Sequence, residues 1–413
     1  MAERLLTRRR FLMNAGLAGA AGGALLASLP PWLEAILGRS GEAAARGASP
    51  LAEGAPEALY WTSVAKAGGD CAPCHGPDAG SLDPAFEHPA GLVKCLLCPH
   101  ECVIRRGERG RCRVRENLAG TLRTLSYGRP AAIHVDPIEK KPFYNFLPGS
   151  LAYSIGTAGC PLRCRFCQNW ELSQASPEDL DAPEVTPGAV VRGAARNGAP
   201  VVAFTYNEPT VFFEFIRDIV EEGKGRGVRH ALVSCGFTNP EPLGEFCSML
   251  DAIKIDLKGY SEEFYRKVCE AELGPVLRTI RTVASKDVHL EIVNLVVPTL
   301  NDSEKDLRGL SEWIAGEVGP DVPVHFTRFH PDYRLLNLPP TPVSTLERAR
   351  EIALAAGLHY PYVGNVPGHP GNHTYCPGCG EIVVERKGFS VRTTRLKGGK
   401  CEACGTPIAG VWS

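Results

Sequence analysis

Gly159-Cys160-Pro161-Leu162-Arg163-Cys164-Arg165-Phe166-Cys167-Gln168-Asn169-Trp170 comes directly after a strand-like run at 151–157. Its cysteine spacing is C-x3-C-x2-C. A four-iron cubane cluster normally takes four thiolates, so three from one loop leave one iron open to a substrate or cofactor. A zinc ion completed by another residue and a plain electron-transfer cluster are the other readings of three thiolates. The position of the motif, on the first strand-to-helix loop of an alternating pattern, favours the open iron.

Outward from that loop, apolar and β-branched runs at 201–206, 230–234, 252–257, 288–297 and 322–329 read as five further strands. Between them lie helical patterns at 187–196, 209–222, 262–269, 276–285, 303–316 and 345–356. The clearest is 209–222, where Pro209 suits a first turn and Phe212, Phe215, Ile216, Ile219 and Val220 form one apolar stripe. Repeated strand–helix units predict an α/β protein with a parallel sheet, most simply a partial (β/α)6 TIM-like barrel with its working residues at the strands' C-terminal ends. Glu208 and Asn207 end the second strand, Ser234 the third, and Asp256 and Lys258 the fourth.

The 413 residues carry 45 Lys+Arg against 46 Asp+Glu, a net charge of -1, with 44% hydrophobic residues. That composition suits a globular protein with a full core and disfavours nucleic acid as a partner held by phosphate neutralisation. Thirteen of the 16 cysteines fall in tight groups, which points to metal. Cys376, Cys379, Cys401 and Cys404 form two knuckles of a zinc-ribbon-like module, a closed four-thiolate site whose expected ion is structural zinc, with iron as the alternative. Cys95, Cys98, Cys102 and Cys112 fit either zinc or an auxiliary iron–sulfur cluster. Cys71-Ala72-Pro73-Cys74-His75 matches the attachment pattern of haem c, with a small-metal or redox pair as the other reading. Cys235, Cys247 and Cys269 read as buried structural thiols.

Thr7-Arg8-Arg9-Arg10-Phe11-Leu12, followed by an Ala/Gly-rich stretch, matches a twin-arginine export signal. The expectation is export of the folded, loaded chain to an extracytoplasmic location, with membrane contact where the signal is retained as an anchor. The expected organisation is signal and linker at 1–48, an irregular region at 49–94, a Cys-rich N-terminal module at 95–150, the barrel at 151–368 and the zinc-ribbon-like module at 369–413.

The three-cysteine motif resembles that of the radical S-adenosylmethionine (radical SAM) superfamily. The resemblance implies a [4Fe-4S] cluster on Cys160, Cys164 and Cys167 whose open iron chelates S-adenosylmethionine, with Phe166 near the adenine. Glu208-Pro209 matches the end of the superfamily's Gly-Gly-Glu-Pro segment, while Tyr206-Asn207 replaces the glycines. Glu208 with Asn207 is thereby implied at the methionyl amine, and Ser234, Asp256 and Lys258 resemble the ribose and methionyl-carboxylate contacts of glycyl-radical-enzyme activators.

Three further stretches are more specific: Cys95 to Cys112, Asp136-Pro137-Ile138-Glu139-Lys140-Lys141-Pro142, and Thr327-Arg328-Phe329-His330-Pro331. With the ending Cys404 to Trp412 they look like the AmmeMemoRadiSam-system radical SAM enzymes, similar to pyruvate formate-lyase-activating enzyme. This implies Memo-like and AMMECR-type partners and a ferredoxin- or flavodoxin-type low-potential electron donor. The implied activity is reductive cleavage of S-adenosylmethionine to a 5′-deoxyadenosyl radical that takes hydrogen from a protein or small molecule. An exported multi-cluster electron carrier and a metal-braced scaffold are the competing readings. Because S-adenosylmethionine is a cytoplasmic metabolite, a cytoplasmic location is the alternative to export.

Overall fold

The computed structural model describes residues 49–63, 65–66 and 91–413. The twin-arginine segment and Cys71-Ala72-Pro73-Cys74-His75 lie outside the described residues. No described helix is long and apolar enough to cross a membrane.

Eight strands form the central sheet in chain order: β1 (Ala132–Pro137), β2 (Leu151–Gly156), β3 (Val201–Phe204), β4 (Arg229–Ser234), β5 (Ala252–Asp256), β6 (His289–Val296), β7 (Val324–Arg328) and β8 (Pro361–Gly364). β1 runs antiparallel to β2 and every later neighbour is parallel. Val201 to Phe204 are all buried, as strands covered on both faces require. Crossovers carry α1 (Pro187–Arg196), α2 (Phe213–Gly223), α3 (Pro240–Met249), α4 (Leu273–Ala284), α5 (Glu304–Glu317) and α6 (Val343–Ala355). The stripe from Phe212 to Val220 is buried in the main apolar core.

The six sequence-predicted strands are present, and the sheet has two more. β8 is four residues long with Pro361 at its start, tolerated because it is an end strand with no further partner. Every residue of β1 is only partly buried or exposed, so it lacks a core pattern of its own and takes its register from β2. α3 carries Pro240 and Pro242 in its first turn, where amides have no intrahelical partner, and buries Leu243, Phe246 and Cys247. Segment 262–269 is a short helix, Glu262–Phe264, running into a π-helical turn, Tyr265–Cys269, closed by Glu270 in the left-handed conformation.

Two small modules attach to this frame. Trp61–Thr62, Val93–Cys95 and Val103–Ile104 form an antiparallel sheet that crosses the boundary expected at residue 94. Arg115, buried in that module, pairs with Glu214 of α2. At the other end, Thr374–Tyr375, Ile382–Lys387 and Ser390–Thr394 form a second antiparallel sheet. Arg386 fastens it, donating to Tyr144 O (2.6 Å), Thr374 Oγ1 (2.9 Å) and Asn372 O (3.2 Å) from a fully buried position.

Beneath the site, the Glu291 carboxylate of β6 accepts from His325 Nε2 (2.6 Å), His289 Nε2 (3.0 Å) and the amide of Asn145 (2.8 Å). Burial pushes Glu291 up, but the two histidine hydrogen bonds outweigh it and bring the group from 4.5 down to about 2. A depressed carboxylate contributes stability that is complete above its unfolded pKa and is lost as pH falls through the folded one. Between about pH 5 and pH 3, the urea-unfolding free energy of Glu291→Gln is expected to fall less steeply than that of the wild type. Equal slopes contradict this assignment.

Candidate active site

The C-terminal ends of seven strands, β2 to β8, meet at one cavity of about 440 Å³. Cys160, Cys164 and Cys167 line it from the loop after β2. Three sets of hydrogen bonds hold that loop. From β3, Asn207 Nδ2 donates to Gly159 O (2.8 Å) and Ala158 O (3.2 Å), while its Oδ1 accepts from Thr157 N (3.1 Å). From the π-helical turn, the carbonyls of Cys269 and Val268 accept from Arg163 N and Arg165 N, each at 2.9 Å. From the N-terminal module, His100 Nε2 and Arg111 Nε both reach Pro161 O at 3.0 Å.

Burial pushes the Cys160 thiol well up, and Glu208 adds to the effect. Cys164 is held below the ordinary thiol range chiefly by a hydrogen bond from Cys269, whose own thiol burial and Cys164 push up. The Cys167 sulfur lies 3.3 Å from Ser173 Oγ. Three thiols facing one cavity fit the three protein ligands of an iron–sulfur cluster with one iron open.

Glu208 is buried and lines the cavity. Its Oε1 accepts from Thr210 Oγ1 (2.7 Å), Ser234 Oγ (2.8 Å) and Thr210 N (3.2 Å), and its Oε2 from Cys235 N (2.7 Å). Oε2 therefore keeps one acceptor position for a ligand. Ser234 Oγ also accepts from Gly236 N (2.9 Å), so its proton and one of its two lone pairs are used by protein groups. Ser234 does not line the cavity, and the Asn207 amide is committed to the loop backbone. Asn207 also lines the cavity, so it braces the loop from within the site.

Asp256 pairs with Lys254 and with Lys258 Nζ at 3.3 Å. Burial raises the Asp256 carboxyl, but the two ammonium groups outweigh it and hold it below the usual range. Burial alone lowers Lys258, yet Asp256 and then Cys164 lift it well above the ordinary value. Its Nζ lies 5.7 Å from the centre of the Phe166 ring, and Phe166 stacks on Phe264.

Sequence reasoning missed several lining groups. Lys254 shares the inward face of β5 with Asp256 by strict alternation, a signal present in the sequence. Cys235, Tyr206 and Lys141 also line the cavity, and Lys141 Nζ donates to Asp136 Oδ2 (2.9 Å) and the Tyr206 hydroxyl (3.2 Å). Phe389 reaches the cavity from the C-terminal module. On β7, Thr327 faces it; His325 lies behind with Glu291, Arg328 donates to Thr341 O (2.8 Å), and His330 is exposed. The four C-terminal sulfurs, Cys376, Cys379, Cys401 and Cys404, lie within 4.8 Å of one another.

A mixed α/β sheet with three such cysteines at its strand ends defines a class of cluster-dependent enzymes. The family model described as the radical SAM superfamily matches residues 154–310. An uncharacterized protein of Methanocaldococcus jannaschii is 42% identical over 318 residues, covering 76% of this chain and 95% of that protein. Pyruvate formate-lyase-activating enzyme of Staphylococcus epidermidis is 27% identical over 179 residues, 40% of this chain and 70% of that enzyme. A solved domain of the corresponding Bacteroides vulgatus enzyme is 21% identical with a TM-score of 0.36, covering 40% of this chain and 98% of that domain. The chain belongs to the radical SAM superfamily, with similarity to pyruvate formate-lyase-activating enzymes.

Asn207→Ala leaves the Thr157 amide and the 158–159 carbonyls without their buried partner. It is expected to cost about 1–3 kcal/mol and to lower the iron retained after anaerobic reconstitution. Thermal unfolding and iron analysis read both effects; wild-type values for both contradict the positioning role.

Proposed function

We propose that this protein cleaves S-adenosylmethionine reductively and uses the product radical to take hydrogen from a protein or small-molecule substrate, as glycyl-radical activases do. The observation that carries the reading is the single cavity shared by Cys160, Cys164, Cys167, Glu208, Asp256 and Lys258. When bound by the three cysteines, a [4Fe-4S] cluster supplies the electron that turns S-adenosylmethionine into methionine and a 5′-deoxyadenosyl radical.

The chain's own groups bind and orient. Glu208 Oε2 offers its free acceptor position to the methionyl amine, and the Lys258 ammonium, kept charged by Asp256, faces the methionyl carboxylate. Phe166, fixed by Phe264, supplies an apolar surface for the adenine. Tyr206, Lys141 and Phe389 line the rim and restrict water around a reactive intermediate. A plain electron carrier has no use for a cavity of this size flanked by a buried acid and two lysines, which weighs against that reading. The C-terminal four-cysteine group is proposed to hold structural zinc: two of its sulfur pairs lie at 3.5 and 3.8 Å, matching the edge of about 3.8 Å that zinc–sulfur bonds of about 2.3 Å give a tetrahedron. Ferredoxin- or flavodoxin-type donors and Memo-like and AMMECR-type partners belong to the same proposal.

Anaerobic reconstitution, reduction and assay for 5′-deoxyadenosine are expected to give product with wild type and background with Cys164→Ala. Product at wild-type level from Cys164→Ala contradicts the proposal. Lys258→Met is expected to weaken S-adenosylmethionine binding by roughly 1.5–3 kcal/mol while leaving iron content unchanged. Unchanged affinity removes Lys258 from the binding site.

A further inference from the structure

We infer that the substrate carries a carboxylate or phosphate group, and that Lys141 and Tyr206 bind it. Both residues line the cavity that holds Cys160, Cys164 and Cys167. Neither is used by the contacts proposed for S-adenosylmethionine, which fall to Glu208, Phe166 and Lys258. Lys141 lies in the segment joining β1 to β2, at one end of the strand order, whereas Lys258 follows β5 in its middle. The two ammonium groups thus enter the cavity from different elements. Assigning the anion to the substrate rests on the activity proposed above, whereas the anion site itself does not.

The Lys141 side chain is only 3% exposed. Its ammonium has three N–H groups and uses two, on Asp136 Oδ2 (2.9 Å) and the Tyr206 hydroxyl (3.2 Å). The third is left for a ligand. Asp136 does not line the cavity, and it also accepts from Lys140 Nζ (2.8 Å). One carboxylate set back from the cavity thus serves two ammonium groups that both line it. Glu139, next in the chain to Lys140, meets the Gly149 amide (2.8 Å) and Arg386 (3.8 Å) instead. The unbalanced charge of the Asp136, Lys140 and Lys141 group is positive, and an anionic ligand balances it through a charge-assisted hydrogen bond.

Tyr206 supplies the second donor. Its hydroxyl accepts from Lys141, and its own proton meets Asp136 Oδ2 only at 3.5 Å, long for an O–H···O bond. Burial, with Asp136 next, pushes this phenol up to about 12, so it keeps its proton at neutral pH. The backbone here is strained: Tyr206 has φ 75°, in the left-handed region that a bulky residue seldom adopts. Asn169 Nδ2 fixes it there by donating to Tyr206 O (2.9 Å). The ring is flanked by His134, nearly perpendicular with 5.6 Å between centres, and by the Lys141 ammonium, 4.8 Å from its centre. Gly156 makes the room, since a Cβ there would lie 2.7 Å from Thr205 O and 3.0 Å from Tyr206 Cβ. A strained residue held this firmly on a cavity wall is placed for use, and the use its loosely held proton allows is donation to a ligand. Carboxylate and phosphate oxygens accept from Lys141 and Tyr206 together.

The test uses the full chain, reconstituted anaerobically, saturated with S-adenosylmethionine and left unreduced, with acetate, inorganic phosphate and acetamide as probes followed by ligand-observed nuclear magnetic resonance. Saturable binding of acetate or phosphate is expected, and the tighter of the two tells carboxylate from phosphate. Acetamide, close to acetate in size but uncharged, is expected to bind roughly tenfold more weakly than the better anion. Lys141→Met and Tyr206→Phe, the second of which keeps the ring, are each expected to weaken that anion roughly tenfold or more. Binding of neither anion to the wild type, acetamide binding as tightly as the better anion, or wild-type affinity in both variants overturns the proposal. If Lys141→Met does not fold, Tyr206→Phe decides alone: weakened binding supports the site and wild-type affinity overturns it. Failure to form 5′-deoxyadenosine on reduction sinks the proposed activity without changing these affinities.

Discussion

The fixing of the Cys160–Cys167 loop is the constraint on which the rest of the structure depends. A loop with three thiols has no regular hydrogen-bond ladder of its own, and its backbone groups must be met from elsewhere. Asn207 meets them from β3, the carbonyls of Val268 and Cys269 from the π-helical turn, and His100 and Arg111 from the N-terminal module. Each support belongs to a different part of the chain. The order of strands in the sheet brings them together, and the helical segment's end at Glu270 leaves without intrahelical partners the two carbonyls that the loop needs.

Charge is the second organising feature. Lys254, Asp256 and Lys258 place two cations and one anion on the inner side of β5 and just beyond it, beside three thiols and the buried Glu208. Bound thiolates and a methionyl carboxylate are anions, so ammonium groups opposite them lower the cost of taking them out of water. The same logic recurs at Arg115 beside Cys95 and at Arg386, which joins the C-terminal module to Tyr144 and lies 3.8 Å from Glu139. Both modules are thus tied to the sheet by buried arginines as well as by apolar packing.

Much of this was legible in the sequence because it is local. The C-x3-C-x2-C motif, six strands and the apolar stripe of α2 depend on neighbours within one element. β8 and α3 were illegible because prolines at their starts mimic loop signals, although an end strand and a first turn both accept proline. Lys254 was readable from the alternation of β5 but lacked a motif. Cys269 read as an inert thiol because its contact with Cys164 spans more than a hundred residues. The pairing of Trp61–Thr62 with Val93–Cys95 across residue 94 is likewise not written in either segment alone.

The central claim is that an open iron on Cys160, Cys164 and Cys167 takes S-adenosylmethionine directly. Electron–nuclear double resonance on the reduced protein, with S-adenosylmethionine labelled with nitrogen-15 at the amine and oxygen-17 at the carboxylate, tests it most directly. The account predicts coupling of both labels to the cluster spin. Bound S-adenosylmethionine with neither coupling would contradict it.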